Sequence, residues 1–153
     1  MDIKVPKIED FKRVNELAKQ VHELHVNWRP DLFLSVENVL SKEKFKELIN
    51  NSRIFILKEK KEIIAYCVIN MQEKDDLSMR YRRQISIEAI CVDEKFRGQG
   101  AGRKLLEFVK KYGKDNGCTD IHLTCNIENK RAMEIYEKFG FKISNVAYLM
   151  EIK

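Results

Sequence analysis

Two rhythms of apolar positions run along this chain. Phe11, Val14, Leu17, Ala18, Val21 and Leu24 recur at the three-and-four spacing of one helix face. The stripe must stop near Trp28, because Arg29 precedes Pro30 and the residue before a proline avoids the helical region. Ser41 opens a second helical stretch through Phe45, Leu48 and Ile49, which runs to the polar Asn50–Ser52. Two β-branched runs follow, Arg53–Leu57 and Glu62–Asn70. The charged "KEKK" between them predicts a hairpin although it holds no glycine. Beyond a polar loop, Gln84–Val92 alternates and then becomes continuously apolar, as a central strand does when both faces are covered at one end.

Leu105, Phe108, Val109 and Tyr112 mark a third helix, closed near Gly113 or Gly117, where a residue of positive φ can cap the end. Asp120–Cys125 reads as the next strand, and Ala132, Ile135, Tyr136 and Phe139 stripe a fourth helix that stops at Gly140. Short strands near Phe141–Ile143 and Val146–Ile152 follow. With Met1–Val5 as a first strand, the order is βααβββαβαββ, without internal repeat or linker composition. The expectation is one mixed α/β domain over residues 1–153.

Composition adds limits. Hydrophobic residues at 44% and charged residues at 35%, with six glycines and two prolines, describe a folded globular chain. A net charge of +5 and a pI near 9.0 suit an anionic partner. The lysines, however, spread along helices, where a solvated basic face is the plainer reading. Cys67, Cys91, Cys118 and Cys125 lie in or beside apolar runs with no C-x-x-C spacing, so reduced thiols are expected, with neither a metal site nor a disulfide framework. The opening "MDIKVPKIEDF" lacks the apolar core of a signal peptide, and the longest apolar run, Ile63–Ile69, is far short of a membrane span. A cytoplasmic protein without membrane contact is expected.

Three of the six glycines, Gly98, Gly100 and Gly102, crowd into "RGQGAG" between a strand and a helix. Such a turn leaves several N–H groups unpaired at a helix N-terminus, where the macrodipole adds partial positive charge. Glycine lets the backbone approach an anion closely, and Arg97 and Arg103 add fixed charge, so a diphosphate is the natural guest. The plainer alternative is a tight turn that needs glycine only for packing. A P-loop is excluded because Arg103, Lys104 and Leu105 stand where Gly-Lys-Ser/Thr would be, counting from Gly98. A dinucleotide fingerprint is excluded because Arg103 occupies its third glycine position and the next strand ends in Asn126, not an acid.

Arg97-Gly98-Gln99-Gly100-Ala101-Gly102 resembles the [QR]-x-x-G-x-[GA] signature of the GNAT superfamily of acyl-CoA N-acyltransferases. Downstream, Asn129-x-x-Ala132-x-x-x-Tyr136-x-x-x-Gly140-Phe141 is similar to a second segment of that family. The resemblance covers about Ile85 to Phe141, and the helical first third agrees only in layout. It implies a single-domain, mostly antiparallel central sheet flanked by helices, with the fourth and fifth strands splayed apart for the cofactor. It implies acetyl-CoA as co-substrate, with Arg97, Gly98, Gln99, Gly100, Ala101 and Gly102 on its diphosphate and the backbone of Ile90, Cys91 and Val92 along its pantetheine. Those main-chain donors can also polarise the thioester carbonyl. Asn126, Asn129 and Ala132 are implied on the cofactor's other side, although asparagine at these points also suits helix capping.

Tyr136 by position alone is a core tyrosine on an apolar stripe. The resemblance implies instead a general acid that protonates the departing thiolate. Glu88 is the one acid in "QISIEAICV". By the two-residue period it shares a face with Ser86, Ile90 and Val92, and if buried it suits a general base. The expected activity is N-acetyl transfer from acetyl-CoA to a primary amine by direct attack. The alternatives are a non-catalytic acyl-CoA sensor and a nucleic-acid binder, the latter prompted by Arg80, Arg82 and Arg83.

The acceptor, a small amine or a peptide amine, is expected at the loop after the first helix, where His25, Trp28, Arg29, Asp31 and Phe33 gather. Arg29 would meet a carboxylate and Asp31 an ammonium; His22 and His25 alone do not suggest a metal. The closing strands could also pair across a homodimer, as in some members of the family.

Overall fold

The computed structural model describes residues 1–153. In chain order it runs β1 (Asp2–Lys4), α1 (Phe11–Trp28), α2 (Lys42–Asn50), β2 (Ile54–Glu59), β3 (Glu62–Lys74), β4 (Arg82–Val92), α3 (Ala101–Asp115), β5 (Asp120–Leu123) and α4 (Lys130–Phe139). The local signals act as expected at most ends. The Ser41 hydroxyl accepts from the Lys44 N–H at 3.1 Å and caps α2, and Gly140 ends α4 at φ 117°. No helix is long and apolar enough to cross a membrane.

The sheet order is β1-β2-β3-β4-β5, antiparallel throughout except for the parallel pair β4–β5. Strands that are apolar at consecutive positions feed both faces. Ile54 and Ile56 pack with Val14, Leu17, Phe45 and Leu48 of α1 and α2, while Phe55 and Leu57 pack with Leu105, Leu106 and Val109 of α3 on the opposite side. Burying each such side chain contributes about 1.5–3 kcal/mol.

Three expectations change. The two-residue period of β4 breaks at Glu88, because Ala89 pairs with Val68 while Ile87 pairs with Ile69, leaving Glu88 as the extra residue of a β-bulge. Ile90 and Val92 therefore lie with Ile85 and Ile87 on the α3 side, not on the face of Glu88. Gly113 lies inside α3 rather than capping it. A Cβ there would stand 3.2 Å from Ile85 Cγ2, so the glycine permits close approach of helix to sheet, and Gly117 (φ 73°) takes the left-handed position beyond. The two closing strands do not form: residues after Phe141 donate no backbone hydrogen bond to the rest of the chain, because a strand needs a partner edge and none lies alongside.

Candidate active site

β5 ends at Leu123 and pairs only with Gln84–Ile87, so β4 runs on from Glu88 to Val92 with its outer edge free. The two strands part there, and a cleft of about 220 Å³ opens through the sheet. One wall is α1, which presents Ala18, Val21, His22 and His25. The floor is the backbone and side chains of Glu88 to Cys91, with Tyr66 from β3. The other wall is the loop after β5, with Asn126 and Asn129, and Tyr136 from α4.

Asn129 accepts from the Ala132 N–H at 3.2 Å and Asn126 from the Glu128 N–H at 2.9 Å, so each caps a turn and lines the cleft as well. Burial first, then the neighbouring Cys125 and Cys91 thiols, push the Tyr136 phenol up to about 12. Burial also pushes the Cys91 thiol up to about 11, against the pull of Tyr66 and Arg97, and raises that of Cys125. The two thiols nearest the cleft are therefore held as thiols, the unreactive form.

Where β4 ends, the chain makes one 3-10 turn (Glu94–Phe96) and enters α3 through the glycines. Gly98 and Gly100 adopt φ 81° and 88°, and Gly100 is the N-cap. The first N–H of this region to find a backbone acceptor is that of Lys104, which donates to Gly100 O at 3.0 Å; those of Gly98 to Arg103 donate to no protein atom. Such a run of unpaired donors at a helix N-terminus has the geometry that an anion cradle requires. Arg97 braces it by donating from Nε to Val92 O at 3.1 Å, and Gln99 by donating to Lys95 O at 3.1 Å. The turn has open space beside Gly100, where a Cβ would meet nothing within 4 Å, and its unpaired N–H groups are donors of the kind that suit an anionic diphosphate.

A further cation joins that sequence reasoning did not single out. A Cβ on Gly98 would lie 3.7 Å from Nη2 of Arg131, so a guanidinium from the start of α4 stands over the glycine turn. Its position beside Asn129 in the second motif was the available signal. The turn itself is anchored by Asp93, which is almost wholly buried, accepts from the Lys95 N–H at 3.0 Å and is ion-paired with Arg13 of α1.

Glu88 lies at the cleft but is exposed, and its carboxylate accepts from Arg53 Nη2 at 2.9 Å. Of the acceptor candidates only His25 reaches the cleft. Trp28 and Phe33 pack around its ring at centroid distances of 5.5 and 5.4 Å, and burial first, then His22, lower its pKa. Nδ1 of His25 is buried without a hydrogen-bond partner. Arg29 and Asp31 bind each other at 3.0 and 2.7 Å and do not line the cleft. Arg82 pairs with Asp120 and Arg83 with Glu73, so two of the three clustered arginines already have carboxylate partners.

A family model described as acetyltransferase (GNAT) family matches residues 18–141. The chain is 30% identical to a variant of the BH1408 protein from Bacillus halodurans and superposes on it with a TM-score of 0.94 over 100% of both chains. It is 40% identical over 58 residues to the thialysine N-epsilon-acetyltransferase of Bos taurus, a match covering 38% of this chain and 34% of that protein. The chain spans little more than a third of the length of such curated relatives. The aminoglycoside N-acetyltransferase AAC(6')-Iy, solved in complex with CoA, is 16% identical with a TM-score of 0.72 over 99% of both chains, and shares the fold.

Proposed function

We propose that this chain, which belongs to the acetyltransferase (GNAT) family, moves an acetyl group from acetyl-CoA to a primary amine by direct attack within one domain. The observation that carries this reading is the free edge of β4. Glu88–Cys91 floor the cleft beside His25, and the chain continues from Val92 into the turn whose Gly98–Arg103 N–H groups are unpaired, an arrangement suited to an extended thioester along the backbone with its diphosphate at the helix N-terminus. Acetyl-CoA supplies the activated acyl group.

The residues of the chain divide the remaining work. Arg97, Arg103, Arg131 and the N–H groups of Gly98, Gln99, Gly100, Ala101 and Gly102 hold the diphosphate. The backbone of Ile90, Cys91 and Val92 lies along the pantetheine, and the donors that face away from β3, those of Ile90 and Val92, stabilise negative charge developing on the carbonyl oxygen. Tyr136, which keeps its proton far above neutral pH, donates to the departing sulfur. Direct attack is favoured over a covalent acyl-cysteine because Cys91 and Cys125 are held protonated. Glu88 takes the amine proton through water. His25 is a second candidate for that task, because burial keeps it neutral at pH 7 and an unpartnered ring nitrogen is available. Trp28 and Phe33 serve the acceptor indirectly, by fixing the His25 ring.

The test is thiol release from acetyl-CoA with a panel of amino acids, polyamines, aminoglycosides and short peptides. Tyr136→Phe should lower kcat by roughly tenfold or more while the KM for acetyl-CoA stays within about twofold. Calorimetric binding of acetyl-CoA with no thiol release from any amine would instead make the chain a sensor. Retention on nucleic acid with no acetyl-CoA binding would reject the reading altogether.

A further inference from the structure

The α1 side of the cleft is apolar and almost without charge. α1 brings Ala18, Val21 and two histidines to it, and the loop of residues 29–41 brings Val39. No lysine or arginine lines the cleft, and Glu88 is its only carboxylate. That carboxylate already meets the Arg53 guanidinium at 2.9 Å. Three acids of α1, the loop and α2 are engaged away from the cleft: Glu23 accepts from the Ser35 hydroxyl, Asp31 from Arg29 and Glu47 from Lys44.

The loop is tied down on α1. The buried Asn15 side chain donates to Glu37 O at 3.2 Å and to Asn38 Oδ1 at 3.0 Å, and its oxygen accepts from the N–H groups of Val39 and Leu40 at 3.0 and 3.3 Å. His22 donates from Nε2 to Leu34 O at 2.7 Å, and the Phe33 ring lies 6.0 and 5.4 Å from the rings of His22 and His25. Val39 is thereby held at the cleft, and Leu34 on the same loop adds apolar surface that is 77% exposed.

We infer, on the reading that this chain moves an acetyl group to an amine, that the acceptor is a small monoamine with an apolar body, lodged between α1 and Val39, and neither a polycation nor a peptide. The reacting nitrogen is served by Glu88. A second ammonium on the same molecule would leave water for a wall with no carboxylate to meet it, in a chain of net charge +5, and a desolvated charge without a partner is strongly unfavourable. A peptide main chain meets a related obstacle. The backbone groups of α1 are bonded within the helix, and the only polar side chains that α1 and the loop bring to the cleft are two imidazoles, so amides beyond the first residue would lose water without a replacement. An alkyl or arylalkyl body instead exchanges water for contact with Ala18, Val21 and Val39.

Thiol release from acetyl-CoA tests this with hexylamine and 1,6-diaminohexane, which share a chain length and a reacting group and differ by one ammonium. After allowance for the two ends of the diamine, kcat/KM for hexylamine should be higher by about tenfold or more, mainly through KM. Phenethylamine should behave like hexylamine, and spermidine, kanamycin and the peptide Leu-Gly-Gly should fall below both. Val39→Asp, at a position 38% exposed, sets a carboxylate on the wall. It should cut the preference for hexylamine over the diamine by about fivefold or more while the KM for acetyl-CoA stays within about twofold. A diamine, polyamine, aminoglycoside or peptide used as well as the apolar monoamines would overturn the inference and leave acetyl transfer standing. An unchanged preference in Val39→Asp would overturn the placement of the acceptor at this wall. Acetyl-CoA binding without thiol release from any amine would overturn acetyl transfer itself, and the inference with it.

Discussion

Arg13→Met should destabilise the protein far more than a surface charge change does, because of what it leaves behind. Arg13 reaches from α1 to Asp93 at the end of β4 and donates from Nε to Ile63 O at 3.0 Å. Asp93 is 2% exposed, and without the guanidinium it keeps only the Lys95 N–H and the Gln20 amide as partners. Removing one partner of a buried pair typically costs about 3–5 kcal/mol; the surviving bonds to Asp93 and the partial exposure of Arg13 place this case near 3 kcal/mol. With a urea m-value of about 2 kcal/mol/M, the unfolding midpoint should fall by about 1.5 M at pH 7.

The pH dependence gives the signature. In the native protein burial pushes the Asp93 carboxyl up, but the Lys95 N–H and Arg13 outweigh it and the net shift is downward. Its stabilisation is present above the ordinary carboxylate range and lost as pH falls through the depressed native value. In the variant the Lys95 N–H remains but both contributions of Arg13 against burial are lost and the carboxyl rises, so protonation relieves the buried charge and the midpoint gap should narrow as pH falls from 7 toward about 4. The double variant Arg13→Met, Asp93→Asn should recover much of the loss at pH 7. A midpoint change below about 0.3 M at pH 7, or a gap that does not change with pH, would refute the reasoning.

Gly100→Ala and Gly117→Ala form a matched pair. Both glycines have positive φ and open space around a Cβ, so each should cost about 1–2 kcal/mol and lower Tm by roughly 2–8 °C. Only Gly100→Ala should raise the KM for acetyl-CoA; an equal rise in both would remove the cradle role. Arg131→Ala should raise the dissociation constant for coenzyme A by about tenfold, less at high salt, with kcat little changed. Unchanged affinity at low salt would show that the Arg131 guanidinium does not serve the diphosphate. For the amine proton, Glu88→Gln should lower kcat by about tenfold; full activity in Glu88→Gln with loss in His25→Gln would transfer the role to His25.

Helix ends and the glycine turn into α3 were legible along the chain because their causes sit within a few residues of one another. Pro30 limits α1 at Trp28, Ser41 caps α2, Gly140 ends α4, and the glycines of Arg97–Gly102 mark a strand running into a helix N-terminus. The helix ends are matters of local dihedral preference, and such signals survive without knowledge of what packs opposite. Tyr136, Asn126 and Asn129 are singled out only by the family resemblance, since periodicity alone reads Tyr136 as a core residue and the asparagines as caps; the structure places all three on one wall of the cleft.

Tertiary structure decided what depends on partners far away in the chain. The bulge at Glu88 arises from a mismatch between β3 and β4, and it sends Ile90 and Val92 to the opposite face from the one their spacing implies. Gly113 proves to be a contact surface for Ile85, Arg131 crosses to Gly98, and Arg13 anchors Asp93 eighty residues later. Arg29 and Asp31, adjacent enough to be read as a substrate clamp, pair with each other in the fold. The final strands show the limit most plainly. Their alternation states that a strand is wanted, but a strand is stable only where an edge and an apolar face meet it, and the chain's own fold places neither alongside residues 142–153.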